Sequence, residues 1–181
     1  MIDEINRGNL SKIFGELLML IEAEKRDQGW GLRLAYASST ERKFFVPSNV
    51  HIIGMMNTAD RSVTTIDYAL RRRFAFIKVR PGFESVKFGE HLIQKGWQPA
   101  FVDAIQVKFA ELNESIAADP DLRDGFCVGH SYFCANRPEG WSDQLYYGEI
   151  IETEIRPLLE DYWYDKDISE IEAIVEKLSW P

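Results

Sequence analysis

"IDEINRGNLSKIFGELLMLIE", residues 2–22, sets two acids at the tip of a short apolar run and then changes to a helical repeat. Residues 1–5 read as the end of a buried strand. Asn9 is placed to cap a helix, because Leu10, Ile13, Phe14, Leu17, Leu18 and Ile21 recur at the i, i+3, i+4, i+7, i+8 spacing of an amphipathic helix reaching about Lys25. Acids at a strand end are what a nucleotide hydrolase needs beside a phosphate-binding loop. One carboxylate, Asp3, would hold hydrated Mg²⁺, and the next, Glu4, would orient or deprotonate the attacking water. An Asp-Glu pair also occurs on any solvated surface, so it carries weight only in company.

Working outward, "WGLRLAYASSTERKFFVP", residues 30–47, alternates Leu32, Leu34 and Tyr36 with other residues, is punctuated by "SSTE", and runs extended to Pro47, the pattern of a hairpin. "VHIIGMM", residues 50–56, reads as a second buried strand ending at Asn57. "TTIDYALRRRF", residues 64–74, reads as a short helix, and "AFIKV", residues 75–79, as another strand. Beyond Pro81 the pattern is helical, with helices expected over 84–96, 99–117, 145–163 and 168–178 and an irregular stretch, "DGFCVGHSYFCANRPEG", at 124–140. Strand and helix alternation up to residue 80 predicts an α/β layer, and the remainder a helical appendage.

Composition narrows the function classes. With 181 residues, 45% of them hydrophobic, the chain can bury a real core. No apolar run approaches the roughly 20 residues of a membrane span, and the start lacks a signal-peptide layout, so the reading is a soluble protein with the cytoplasm as default location. Cys127 and Cys134 have no zinc-ribbon or CxxC spacing and read as ordinary thiols; His51 and His91 lack ligand-spaced partners, so no structural metal is expected. Residues 139–181 hold 12 acids and 3 bases, net −9, out of −8 for the whole chain. That acidic end speaks against broad nonspecific DNA binding by the C-terminal part.

Two further stretches share the chemistry of the first. In "MNTADRS", residues 56–62, Asn57 can donate to a γ-phosphate or attacking water without adding charge, with Asp60 and Arg61 on the same loop, although these are also turn-forming residues. "YALRRRF" puts Arg71, Arg72 and Arg73 at a helix end, where cations suit the helix dipole and where one guanidinium can face a neighbour and stabilise a transferring phosphoryl group. "GHSYF", residues 129–133, reads as a turn that closes a core or touches nucleotide, since adjacent His130 and Ser131 do not face one another as base and nucleophile. Trp97, Trp141, Tyr146, Tyr147, Tyr162, Trp163 and Tyr164 read as core of the helical part.

Taken in order, "IDEINRGNLSKIFGELLMLIE", "VPSNVHIIGMMNTADRS", "DYALRRRF" and "GHSYF" resemble the McrB-like AAA+ GTPases, the motor subunits of modification-dependent restriction systems. The resemblance implies the C-terminal half of a P-loop AAA+ α/β module with a hairpin before sensor 1 at residues 30–47. It places this partial core at 1–80 and an α-helical lid at 81–181, where "IRPLLEDYW" is a second anchor. It implies Walker B acids Asp3 and Glu4, both toward the metal, and sensor 1 at Asn57. Asp60 and Arg61 would contact nucleotide, and Arg72 and Arg73 would be arginine-finger candidates; Arg7 and Arg61 are expected on the same interface. Arg123, Arg137 and Arg156 are the candidates for a sensor-2 arginine. Family cofactors are GTP and Mg²⁺, with ATP the alternative. The family forms ring-like, typically hexameric homo-oligomers, works with an McrC-like nuclease, moves DNA, and recognises 5-methylcytosine DNA through a separate N-terminal domain.

One element is missing. No Gly-Lys dipeptide occurs, so the phosphate loop GxxxxGK[ST] is absent. The expectation is that the chain starts inside a nucleotidase domain and neither binds nucleotide tightly nor hydrolyses it alone. Two other readings stay open: an AAA+ ATPase of the MoxR-like chaperone type, and a non-catalytic assembly module.

Overall fold

Asn9 starts the first helix as its side chain allows: its Oδ1 accepts the backbone N–H of Lys12 at 2.9 Å, and α1 runs Leu10–Phe14. A computed structural model of the chain describes residues 1–38, 40, 42–57, 59 and 68–180. The chain divides into two compact units, Met1–Lys78 and Val79–Pro181.

In the first unit the expected helix to Lys25 is broken. Gly15 adopts φ 48°, a conformation open to glycine, and its N–H closes α1 on Ser11 O at 2.9 Å. The chain then restarts as α2, Leu17–Leu20, and a 3-10 turn at Ala23–Lys25. The break re-aims the apolar residues into two small clusters. Leu10 joins Ile5 and Leu70, whereas Leu20 and Ile21 join Val46, with Leu18 and Phe74 touching both. Arg26 braces this arrangement by donating to Ile21 O from Nε at 3.0 Å and to Val50 O from Nη1 at 2.5 Å.

Main-chain pairing in this unit is sparse. Ile2 and Gly54 form a parallel bridge, through Ile2 N to Ile53 O at 2.8 Å and Met55 N to Ile2 O at 2.9 Å, and Ile5 N adds a bond to Met55 O at 2.9 Å. Leu32 and Phe44 exchange both bonds of an antiparallel bridge, at 2.9 and 2.8 Å, where the sequence suggests a full hairpin. The strands at 1–5 and 50–56 were expected to be buried. Instead Met1, Ile53 and Met55 are exposed, because among the described residues the two stretches pair only with each other, over a short length, and burial of a strand needs neighbours on both faces. Residues 75–79 form no strand: Ile77 and Val79 lie exposed, with no ladder to satisfy their backbone. α3 spans Tyr68–Arg71.

The second unit follows its sequence pattern closely. α4 (Val86–Gln94), α5 (Pro99–Ala118), α6 (Asp143–Ile150), α7 (Arg156–Tyr162) and α8 (Ile168–Leu178) surround one core. Pro99 opens α5 where its missing N–H has no helical partner to lose, and Ser142 and Asp167 cap α6 and α8. Between α6 and α7 the backbone widens to a π-helical turn, Ile151–Ile155. Pro157 accounts for it, since it has no N–H for a fourth-residue bond and its ring would strike the carbonyl of residue 153. Aromatic rings fill the centre: Phe83 stacks on Phe109 at 5.1 Å, Phe133 meets Phe109 edge-on at 4.9 Å, and Trp97 stacks on Tyr146 at 5.5 Å. The buried Tyr147 hydroxyl donates to Leu178 O at 2.6 Å, and Lys108 Nζ closes the end of α8 on the carbonyls of Lys177 and Ser179. Of the aromatics assigned to this core, Tyr164 is the one that lies exposed. Among the described residues no helix is long and apolar enough to cross a membrane.

Asp119 ties α5 to the α7–α8 connection. Its carboxylate accepts the indole N–H of Trp163 at 2.9 Å and the N–H groups of Asp121 and Leu122 at 3.0 and 3.3 Å, with Lys166 at 3.5 Å. These donors, the indole first, hold its carboxyl below the usual carboxylate range. A lowered folded pKa stabilises the native state above the unfolded value, and that stabilisation disappears as pH falls through the folded one. Asp119→Ala should therefore lose about 2 kcal/mol at pH 7 in urea melts. The gap between variant and wild type should close as pH drops below about 4. A gap independent of pH would remove the carboxylate from the account.

Gly54 is the second test of the fold. A Cβ there would stand 2.6 Å from Ile5 Cδ1 and 3.1 Å from Ile5 Cγ2, so Gly54→Ala should destabilise the first unit by about 1–3 kcal/mol. Helical Gly148, with nothing within 4 Å of its Cβ position, should gain up to about 1 kcal/mol as alanine. Urea melts that rank the two the other way would refute the close packing at the bridge.

Candidate functional site

The parallel bridge aligns two strand ends, and side chains that follow the two strands collect at their shared carboxyl edge, the edge at which open α/β sheets bind ligands. Asp3 is exposed, with one carboxylate oxygen accepting Glu4 N at 2.9 Å. Glu4 itself takes φ 48°, ψ 44°, a left-handed conformation unfavourable for a side-chain-bearing residue, and so turns the chain sharply at the strand tip. Its Oε2 is buried and lies 3.3 Å from Arg7 Nε. The contact is an ion pair rather than an aligned hydrogen bond.

Across the bridge, Asn57 ends the second strand. Its Oδ1 accepts Ala59 N at 3.0 Å, a local turn that leaves the amide Nδ2 as its outward donor. Asn6 links the two ends: 8% exposed, it donates from Nδ2 to Asn57 O at 3.3 Å, and its Oδ1 is buried without a hydrogen-bond partner. Sequence reasoning passed over Asn6. The available signal was a polar residue on the inward side of the strand end, directly after apolar Ile5. Asp60 and Arg61 lie outside the described residues, as does residue 58.

The three arginines separate. Arg71 packs its guanidinium over Phe76, 5.9 Å from the ring centre, and both Arg71 and Arg72 are exposed. Arg73 turns inward, its side chain 9% exposed, and meets Glu22 Oε1 at 2.5 Å. Glu22 also pairs with Lys25 at 2.6 Å, and Lys25 first, then Arg73, holds its carboxyl below the usual range. Three adjacent positions at the end of a short helix and just beyond it thus divide into an inward anchor and two outward cations.

In the helical unit the sensor-2 candidates are all engaged. Arg137 is ion-paired with buried Asp143 and donates to Gly96 O, while Asp143 accepts Gln98 N at 2.9 Å. Arg156 is bidentate to Glu152 one turn earlier, at 2.6 and 3.0 Å, and Arg123 donates to Pro120 O at 3.2 Å. "GHSYF" closes the core: His130 Nδ1 accepts Gly82 N at 3.0 Å, its ring meets Phe88 edge-on, and Phe133 is fully buried.

The donor set at the strand edge suits Mg²⁺, which takes one or two carboxylate oxygens and leaves its other positions to phosphates and water; Asp3 has an oxygen to offer, and Glu4 stands beside it. Among the described residues no group of three or more His, Cys, Asp or Glu is arranged to hold a metal by protein ligands alone.

Comparison with known proteins gives these positions a context. Residues 1–74 match the AAA domain of the dynein-related subfamily, and residues 104–172 match the alpha-helical lid domain of McrB. The chain is 50% identical over 167 residues, 91% of its length, to the type IV methyl-directed restriction enzyme EcoKMcrB subunit of Escherichia coli strain K12, of which this covers 36%. It is 32% identical over 85 residues to the type II restriction enzyme BsuMI component YdiS of Bacillus subtilis strain 168, covering 42% of this chain and 25% of that protein. The chain thus spans about a third or less of either relative. An AAA domain segment followed in order by the McrB lid identifies the chain as an McrB-like AAA+ protein.

Proposed function

We propose that these residues form part of a GTP-hydrolysing motor subunit in a modification-dependent restriction system, the nucleotide lying at the carboxyl edge of the Ile2–Gly54 pair. The observation that supports this reading is the parallel Ile2–Gly54 pairing with the Asn6–Asn57 hydrogen bond beyond it, in an McrB-like chain whose Asp3, Glu4 and Asn57 follow the paired positions in sequence. Mg²⁺, held by Asp3 with Glu4 beside it, would neutralise charge on the β- and γ-phosphates. Glu4 orients and deprotonates the attacking water, and Asn57 donates its Nδ2 to the γ-phosphate or that water. Asn6 keeps the Asn57 backbone in register with the acids. Asp60 and Arg61 continue the same loop as nucleotide contacts, with Arg7 on the rim.

Arg72 is the arginine that reaches the nucleotide of the next subunit, because Arg73 is committed to Glu22 within its own unit. Residues 30–47 serve as the hairpin before sensor 1, with the Leu32–Phe44 bridge in it. The wider assembly is a hexameric ring in the cytoplasm. It couples turnover to DNA translocation and to an McrC-like nuclease, with 5-methylcytosine read by a domain elsewhere in the longer protein. Turnover requires a phosphate loop, a motif these 181 residues do not contain.

Steady-state hydrolysis of GTP and ATP, side by side, by a longer protein that carries the phosphate loop tests the reading. GTP turnover should fall by about 10²-fold or more in Glu4→Gln. ATP-only turnover would shift the protein to the chaperone-type ATPases, and none with either nucleotide would leave an assembly role. Arg72→Ala should reduce turnover in the ring about a thousandfold, while changing urea stability by less than about 0.5 kcal/mol. Arg73→Ala should instead lower stability by about 2 kcal/mol. Equal stability losses in the two variants would erase the division between them.

A further inference from the structure

The chain enters the helical unit through a turn that is fastened from several sides. Residues 75–80 are all exposed, Pro81 and Gly82 are half-buried, and Phe83 is buried. Gly82 O accepts Ser85 N at 3.0 Å just before α4, and Phe83 O accepts Gln106 Nε2, from α5, at 2.5 Å. The Phe83 ring stacks on Phe109 and meets Phe88 edge-on at 5.5 Å. The remaining bond is the long-range one: Gly82 N donates to His130 Nδ1, 48 residues further along the chain.

His130 is itself held for this contact. Asn113 of α5 grips the backbone two residues earlier, accepting Val128 N at 2.6 Å through Oδ1 and donating Nδ2 to Val128 O at 3.0 Å. Gln106 and Asn113 are seven residues apart and so share a face of α5, one serving each end of the same junction. The imidazole sits edge-on to Phe83 and Phe88, and a Cβ on Gly82 would stand 3.6 Å from its Cε1, in ordinary contact. An imidazole nitrogen accepts only when it carries no proton, so the bond from Gly82 assigns the hydrogen of the neutral ring to Nε2. Residues 75–79 stand in contrast, with exposed side chains and no ladder.

We infer that residues 75–80 are a hinge and that the His130–Gly82 hydrogen bond is the latch that ends it, so that the helical unit begins as a rigid body at Gly82. A hinge absorbs backbone change in a few residues, and it transmits motion only if its far end is fixed. Arg72 lies ten residues before Gly82, so slack at the latch would loosen the connection between that arginine and the helical unit. His130 is then a positioning residue for turnover, acting on the backbone rather than on nucleotide. That last step rests on the motor reading, whereas the latch itself does not.

The test is amide hydrogen exchange, read by NMR on the ¹⁵N-labelled 181-residue chain without nucleotide. Amides of residues 75–80 should exchange at least about tenfold faster than Gly82. His130→Phe keeps a ring but removes the acceptor, and exchange at Gly82 should rise about fivefold or more. His130→Asn loses the ring contacts but sets Oδ1 where Nδ1 was, so it should melt lower and still protect Gly82. In a longer protein that carries the phosphate loop, His130→Phe should lower kcat/KM for GTP about tenfold or more, with His130→Asn restoring most of it. Asp119→Ala, a stability loss elsewhere in the helical unit, should leave that ratio unchanged. Gly82 exchanging as fast as residues 75–80 would overturn the latch, as would equal rises in the Phe and Asn variants, which would make ring packing the cause. Unchanged turnover in His130→Phe with Gly82 already released would overturn the positioning role. Absence of turnover in every form, wild type included, would sink the motor reading and leave the exchange result to decide the latch.

Discussion

Everything at the strand edge depends on a few main-chain hydrogen bonds between segments about fifty residues apart in sequence. Parallel pairing cannot be made by a tight turn; it needs a long crossover, here supplied by α1, α2 and the loop closed at Leu32 and Phe44. The crossover must bring a flat, close approach at one place, and Gly54 provides it by leaving room for the Ile5 side chain. Once Ile2, Ile5 and Met55 are in register, two acids from one strand and an amide from the other share an edge without touching in sequence. Asn6 then adds a side-chain bond one step beyond the last main-chain one.

How much of this could be read beforehand differs sharply between the two units. The helical unit was legible because its information is local: Pro99, Ser142 and Asp167 mark helix starts, and apolar spacing marks the inward stripe. The first unit was less so because strands acquire their identity from partners. "AFIKV" has every strand propensity and no ladder, and "VHIIGMM" pairs over a short length and stays largely exposed. The helix from residue 10 was broken by a glycine whose apolar neighbours serve two clusters, a demand set in three dimensions. In the site, residue types pointed to Asp3, Glu4 and Asn57. The division between Arg72 and Arg73 depended on Glu22, fifty residues away, and no local pattern contains it.

Charge separates the units as clearly as structure does. The basic excess sits with the strand edge and its loops, where phosphates would be handled, and the acidic excess covers helices whose carboxylates are mostly committed to solvent, caps or neighbouring cations. An acidic lid repels polyanions from its own surface. The total of −8 conceals that the two units carry charge of opposite sign.

The widened turn at Ile151–Ile155 has a consequence for how its rod is phased. Tyr147, Ile151, Ile155 and Leu159 follow one another at strict four-residue steps, and all are buried. In an unbroken α-helix each such step drifts about 40° around the axis, so the last of the four would have rotated well off the core. Five residues of wider pitch absorb the drift, as a vernier absorbs mismatch between two scales, and keep Glu152, Thr153 and Glu154 in water. Loss of one residue between Ile151 and Ile155 would turn one four-residue step into three, the spacing at which a helix holds such side chains on one face without a widened turn.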